Sequence, residues 1–156
     1  MSDDLSLSVD AYGAGLDAEL ALLRQLQRLA VEQQEATYTH DLDRLNRVGD
    51  DRERVMAALV AVEHELKPVR STLSSHRDDV KDLPGYEDLM TLHRAASHLV
   101  AEILAADNDT MQALREAELA RRFAAHSIQT GQTTLAAYRR VVAPPVANAA
   151  LVDRRG

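Results

Sequence analysis

The sequence predicts an all-α protein, an elongated antiparallel helical bundle of coiled-coil character with three to four helices. Three observations predict it. Apolar positions recur in alternating steps of three and four along Leu45, Val48, Arg52, Val55, Leu59, Val62, Leu66, Val69, Leu73 and His76, and only Arg52 and His76 interrupt that row. A mean step near 3.5 residues keeps such side chains on one narrow seam, the arrangement of helices lying nearly side by side. Hydrophobic residues make up 46% of the chain and aromatic ones only 3%, so the apolar content is Ala, Leu and Val, which let helices approach closely. Six Gly and four Pro are too little punctuation for the turns of a sheet protein. A length of 156 residues suits one domain with its own core.

Residues 1–15 contain Ser, Asp, Gly13 and Gly15 without a sustained period, and are expected to form a flexible arm. Leu16, Leu20 and Leu23, with Leu22, Leu26 and Leu29 beside them, make a broad apolar face on a first helix running to about Tyr38. Thr39-His40-Asp41 offers a break, with Asp41 placed to cap the second helix. That helix, about 42–79, carries the seam. Gly49 inside it is either tolerated or marks a short break recapped by Asp50. Pro68 removes a backbone hydrogen bond and crowds the carbonyl of His64, so a kink is expected there; the unbroken phase of the seam favours one kinked helix.

Asp82-Leu83-Pro84-Gly85 is the clearest turn signal. Leu89, Leu92, Ala96, Leu99, Ile103 and Ala106 then repeat the three-four alternation, which slips at Asp107-Asn108-Asp109. Beyond the slip the best row is Met111, Leu114, Glu118, Arg121, Ala125, Ile128, Gln132 and Leu135, with Gly131 a soft point. Ala143-Pro144-Pro145 ends the helical domain, 16–142, and leaves 143–156 as a tail. At 1.5 Å per residue the second helix is about 57 Å long, whereas a continuous helix over 86–142 would reach about 85 Å. The last helix therefore overhangs its partners or folds back at the slip. An overhang would leave Met111, Leu114, Phe123 and Ile128 uncovered, which makes this face, with Ile103 and Leu135 in the same rows, the candidate surface for binding a protein.

Charge and chemistry narrow the function. A net charge of −7 and a pI near 5.3 argue against nucleic acid and anionic membranes as partners. Arg139-Arg140 and Arg154-Arg155 are small clusters expected at solvated helix ends and tails. The chain has no Cys, hence no disulfide framework. No apolar run approaches the roughly 18 residues of a membrane span, and the acidic start is unlike a signal peptide, so a cytoplasmic location is expected. Among six His, His93 and His98 stand five apart, on different helical faces, and no Glu-x-x-His or His-Glu-x-x-His pattern occurs. Asp50-Asp51, Asp78-Asp79 and Asp107-Asn108-Asp109 fall at suspected breaks or ends, where capping accounts for them. No calcium loop, phosphate-cradling loop or nucleophile elbow is present, so a protein without catalytic residues, metal or cofactor is expected.

The run Glu102-Ile103-Leu104-Ala105-Ala106-Asp107-Asn108, then Leu114 and Leu119, then Thr130-Gly131-Gln132-Thr133-Thr134-Leu135-Ala136-Ala137-Tyr138, resembles the flagellar export chaperones of the FlgN and FliT type. The earlier Asp41-Leu42-Asp43-Arg44-Leu45, joined to a long helix with Arg52, Leu59 and Glu63, is similar to the FlgN pattern, and the likeness spans most of 16–140. The resemblance implies a small cytoplasmic helical protein of type III secretion. It would bind the C-terminal helical segment of a late flagellar substrate, a hook–filament junction or cap protein, and deliver it to the export gate. It also implies that Tyr138 docks on a gate component. Where the family often has a glycine soon after that tyrosine, this chain has Arg139 and Arg140. The alternative is a structural coiled-coil or adaptor protein whose seam closes by homodimerisation.

Overall fold

The computed structural model describes residues 2–117 and 121–141, apart from the side chains of residues 2, 117 and 121–123. Helix α1 spans Ser2–Tyr38, α2 Leu42–Ser75, the one-turn α3 Arg77–Val80, α4 Tyr86–Ala117 and α5 Arg121–Val141. No strand occurs among the described residues. α1 is the spine. α2 returns antiparallel along it, bringing Arg52 to Gln33 and Arg70 back to Tyr12. α4 runs parallel to α1, so that Gln27 meets Glu102. α5 turns back against α2 and α4, with Gln132 donating to Asn108 at 2.7 Å. The result is an up-down-up-down helical bundle.

Several elements form where the sequence expects them. His40 adopts the left-handed backbone (φ +55°) between α1 and α2, and the Asp41 carboxylate accepts from the Arg44 N–H at 3.1 Å, capping α2. Gly49 lies inside a continuous α2, without a break. Pro68 also lies inside α2, on its exposed side, as does His64, whose carbonyl loses its helical donor. Leu45, Val48, Leu59, Leu66 and Leu73 of the seam are buried. His76, the second interruption, is the C-cap of α2, and its Nδ1 lies 3.0 Å from the Thr72 carbonyl oxygen.

Three expectations are corrected. Residues 2–15 are helical from Ser2, and Leu5, Val9, Tyr12 and Leu16 form a buried row against Leu66, Leu73, Val80 and Leu89. Burying each such side chain contributes roughly 1.5–3 kcal/mol, enough to hold helical a stretch whose Ser and Gly residues are weak helix formers. Gly15 assists: a Cβ there would run into the Leu66 side chain, so glycine admits α2 to close range. Asp107 does not interrupt α4, which runs straight through it. Finally, the last helix does not overhang. The chain folds back after Ala117, and α5 lies along the apolar row of α4. The tail expected at 143–156 lies outside the described residues.

Candidate functional site

The face proposed from the sequence is the seam that α5 closes. Ile103, Ile128 and Leu135 are fully buried and Leu114 nearly so, while Met111 is half-buried beside Ala36, Leu45 and Ala124. The uncovered-surface expectation for these residues is thereby overturned. The physical reason is that α4 and α5 each carry one apolar row, and folding back buries both at once. The side chain of Phe123 lies outside the described residues. Tyr138 is 5% exposed, and its hydroxyl donates to Glu19 Oε2. Arg139 and Arg140 are exposed in the last turn of α5, where cations favour the helix C-terminus.

Two buried polar groups of residues secure that closure. At the first, Arg52 is 1% exposed and aims its guanidinium across the bundle at Asp107, also 1% exposed. Arg52 Nη1 donates to Asp107 Oδ1 at 2.6 Å and to Gln33 Oε1 at 3.0 Å, while Nη2 donates to Asp107 Oδ2. The two-pronged geometry suits a planar guanidinium on a carboxylate. Burial pushes the Asp107 carboxyl upward, and Arg52 opposes that shift. α5 covers the pair with backbone: a Cβ on Gly131 would stand 2.9 Å from Arg52 Nη2 and 3.1 Å from Nε. A locked guanidinium cannot step aside, so a glycine is required there. The two faults in the apolar rows, Arg52 in the α2 seam and Asp107 at the slip in α4, thus answer each other.

The second group lies nearer the α1 N-terminus. Glu19 is fully buried; one oxygen takes the Tyr138 hydroxyl and the other, Oε1, meets no donor. Glu63 stands beside it and is paired with Arg70, whose Nε donates to the Tyr12 hydroxyl at 3.1 Å. The Arg70 guanidinium also stands 5.7 Å from the Tyr12 ring centre, and the Tyr12 and His93 rings are 5.5 Å apart. Burial, and then Glu63, push the Glu19 carboxyl from 4.5 up to about 8. Burial raises the Tyr138 phenol well above its ordinary value, helped by Glu19, and raises Tyr12 to about 12. Burial opposes the charge on Arg70, but Glu63 and Tyr12 outweigh it.

These titratable groups sit between helices rather than in an open cleft. Two shallow clefts lie elsewhere. One of about 640 Å³ runs between α1 and α2, lined by Leu22, Leu29, Val55 and Ala58 with exposed Arg28 and Arg54. The other, about 470 Å³, lies between α2 and α5 around Gly49, Ala124 and Ser127. Among the described residues no three His, Asp or Glu side chains come together as a metal would need, and no helix is long and apolar enough to cross a membrane.

Compared with known proteins, the chain matches no family model, no curated protein and no solved structure. The sequence reading missed both polar groups. Both offered a signal: Glu19 interrupts the row Tyr12, Leu16, Leu23 and Leu26, whose steps through it are four, three, four and three, as Arg52 interrupts the seam of α2. A charged residue in phase with an apolar row is a buried charge seeking a partner.

Proposed function

We propose that the chain is a flagellar type III export chaperone of the FlgN and FliT type, which holds the C-terminal helical segment of a late substrate as a guest helix and passes it to an export-gate component. The observation that carries this reading is the place of α5, which lies against both α2 and α4 and completes a cradle that these two form with α1. A guest helix with apolar residues at helical spacing takes the row of Ile103 and Leu114 by replacing Ile128 and Leu135 of α5. Micromolar capture needs about 8 kcal/mol net, so at about 25 cal/mol per Å² the guest must bury more apolar surface than α5 gives up, by enough to cover the cost of association as well. Displacing α5 also frees Tyr138 from Glu19, which makes its ring available for the gate. The reading requires a cytoplasmic protein and no cofactor.

A covalent lock tests this directly. The chain has no cysteine, and a Cβ built at Gly49 stands 4.0 Å from Ser127 Cβ, within the roughly 3.5–4.5 Å span of a disulfide. In the double variant Gly49→Cys/Ser127→Cys, calorimetry and sedimentation should show one-to-one binding of a junction- or cap-protein C-terminal peptide when reduced, and none when oxidised. Absence of binding by the reduced form sinks the chaperone reading. Equal binding by both forms places the guest elsewhere than under α5. Pairing of two copies has less support, because the seam of α2 is already covered from within the chain.

A further inference from the structure

We propose that a proton held between Glu19 and Glu63 latches the C-terminal turns of α5 to the bundle, so that the grip on α5 loosens as that proton is lost. The latch belongs to this chain alone, whether or not a guest helix is captured. Every element packed around Glu19 contributes a polar group. α1 supplies Tyr12 and Glu19 itself, α2 supplies Glu63 and Arg70, α4 supplies His93 against Tyr12, and α5 supplies Tyr138. Two carboxyl groups therefore face one guanidinium. With a proton on Glu19, its Oε1–H donates to Glu63, the buried oxygen without a donor ceases to be one, and the cluster is electrically balanced.

Loss of the proton changes both accounts. A second negative charge enters a buried site holding one Arg, and two carboxylate oxygens are left facing each other. The Tyr138 hydroxyl favours ionised Glu19, but a single neutral donor offsets neither burial nor Glu63, and the Glu19 carboxyl remains protonated up to about 8. Ionised Glu19 then gains most by reaching water. Parting α1 from α2 would open their long shared seam. Lifting the end of α5 costs far less, since Tyr138 lies in its last turn, close to Val141.

Two readouts test the latch in the full chain. Carbon-detected NMR of the Glu19 carboxyl, assigned with Glu19→Gln, should give a midpoint near 8 instead of the ordinary 4.5. Amide exchange, corrected for its intrinsic pH dependence, should show protection in the last two turns of α5 falling by up to about tenfold per pH unit between 4.5 and about 8 and levelling off above that midpoint, as one linked proton requires, while α1 and α2 stay protected. Glu19→Gln keeps the hydrogen-bonding shape without the charge and should hold α5 equally at both ends of the range. A Glu19 midpoint near 4.5, the same loss of α5 protection in Glu19→Gln, or opening of α1 from α2 together with α5 would each overturn the proposal. Should Glu19→Gln fail to fold, the wild-type chain decides by itself: exchange in α5 must track the Glu19 midpoint, and exchange that ignores it refutes the latch.

Discussion

The two polar clusters inside this bundle differ by one carboxyl group. Around Arg52 a single guanidinium meets a single carboxylate, with Gln33 as a neutral third member, and the charges close without a proton. Around Arg70 a single guanidinium faces Glu63 and Glu19, so a proton is needed to close them. The helix α5 meets the first through the bare backbone of Gly131 and the second through the Tyr138 hydroxyl. Charge balance, more than burial as such, decides which interior site responds to pH. One end of α5 rests on a fixed ion pair and the other on a titrating one.

The largest effect should come from unbalancing the fixed pair. Asp107→Ala strands the Arg52 guanidinium in the interior, and urea unfolding should register a loss of about 3–5 kcal/mol. Replacing both partners together, Arg52→Met with Asp107→Leu, should recover most of that, because no uncompensated charge remains. The titrating cluster comes next. Glu19 binds its proton more tightly when folded, about 8 against 4.5, so its contribution is complete below 4.5 and is lost as pH rises through 8. Unfolding free energy should therefore decline by up to about 1.4 kcal/mol per pH unit across that window, and the wild-type minus Glu19→Gln difference isolates the slope. Gly131→Ala drives a methyl onto the locked guanidinium and should cost about 1–3 kcal/mol, felt mostly as lost amide protection in α5. Asp41→Ala removes a cap far from both clusters and should cost about 1 kcal/mol without altering the pH slope; if it does alter the slope, the titration is not local to Glu19.

How much of this was legible depended on how local the cause is. The cap at Asp41, the turn before α4 and the buried seam of α2 were readable because each is specified by residues within a few turns of one another. The N-terminal segment was misread although its row of Leu5, Val9, Tyr12 and Leu16 steps by four, three and four. Gly13, Gly15 and the serines argue locally for disorder, and only contact with Leu66 and Leu89 makes them helical. Arg52 and Asp107 stood out as faults in two separate rows, yet they are 55 residues apart, and no spacing rule pairs them. The surface proposed over Leu114, Ile128 and Leu135 was composed of the right residues for a helix–helix contact, but the contact is made by α5 itself.

Periodicity, propensity and capping act within a helix, so the helical class, the cap at Asp41, the turn before α4 and the faces that leave water could be read from the residues alone. Only the tertiary structure decided which row covers which, and which buried carboxyl keeps its proton. Apolar rows carry no address, so any of them can satisfy any other. A charge balance, likewise, exists only once side chains from separate helices share one dry space.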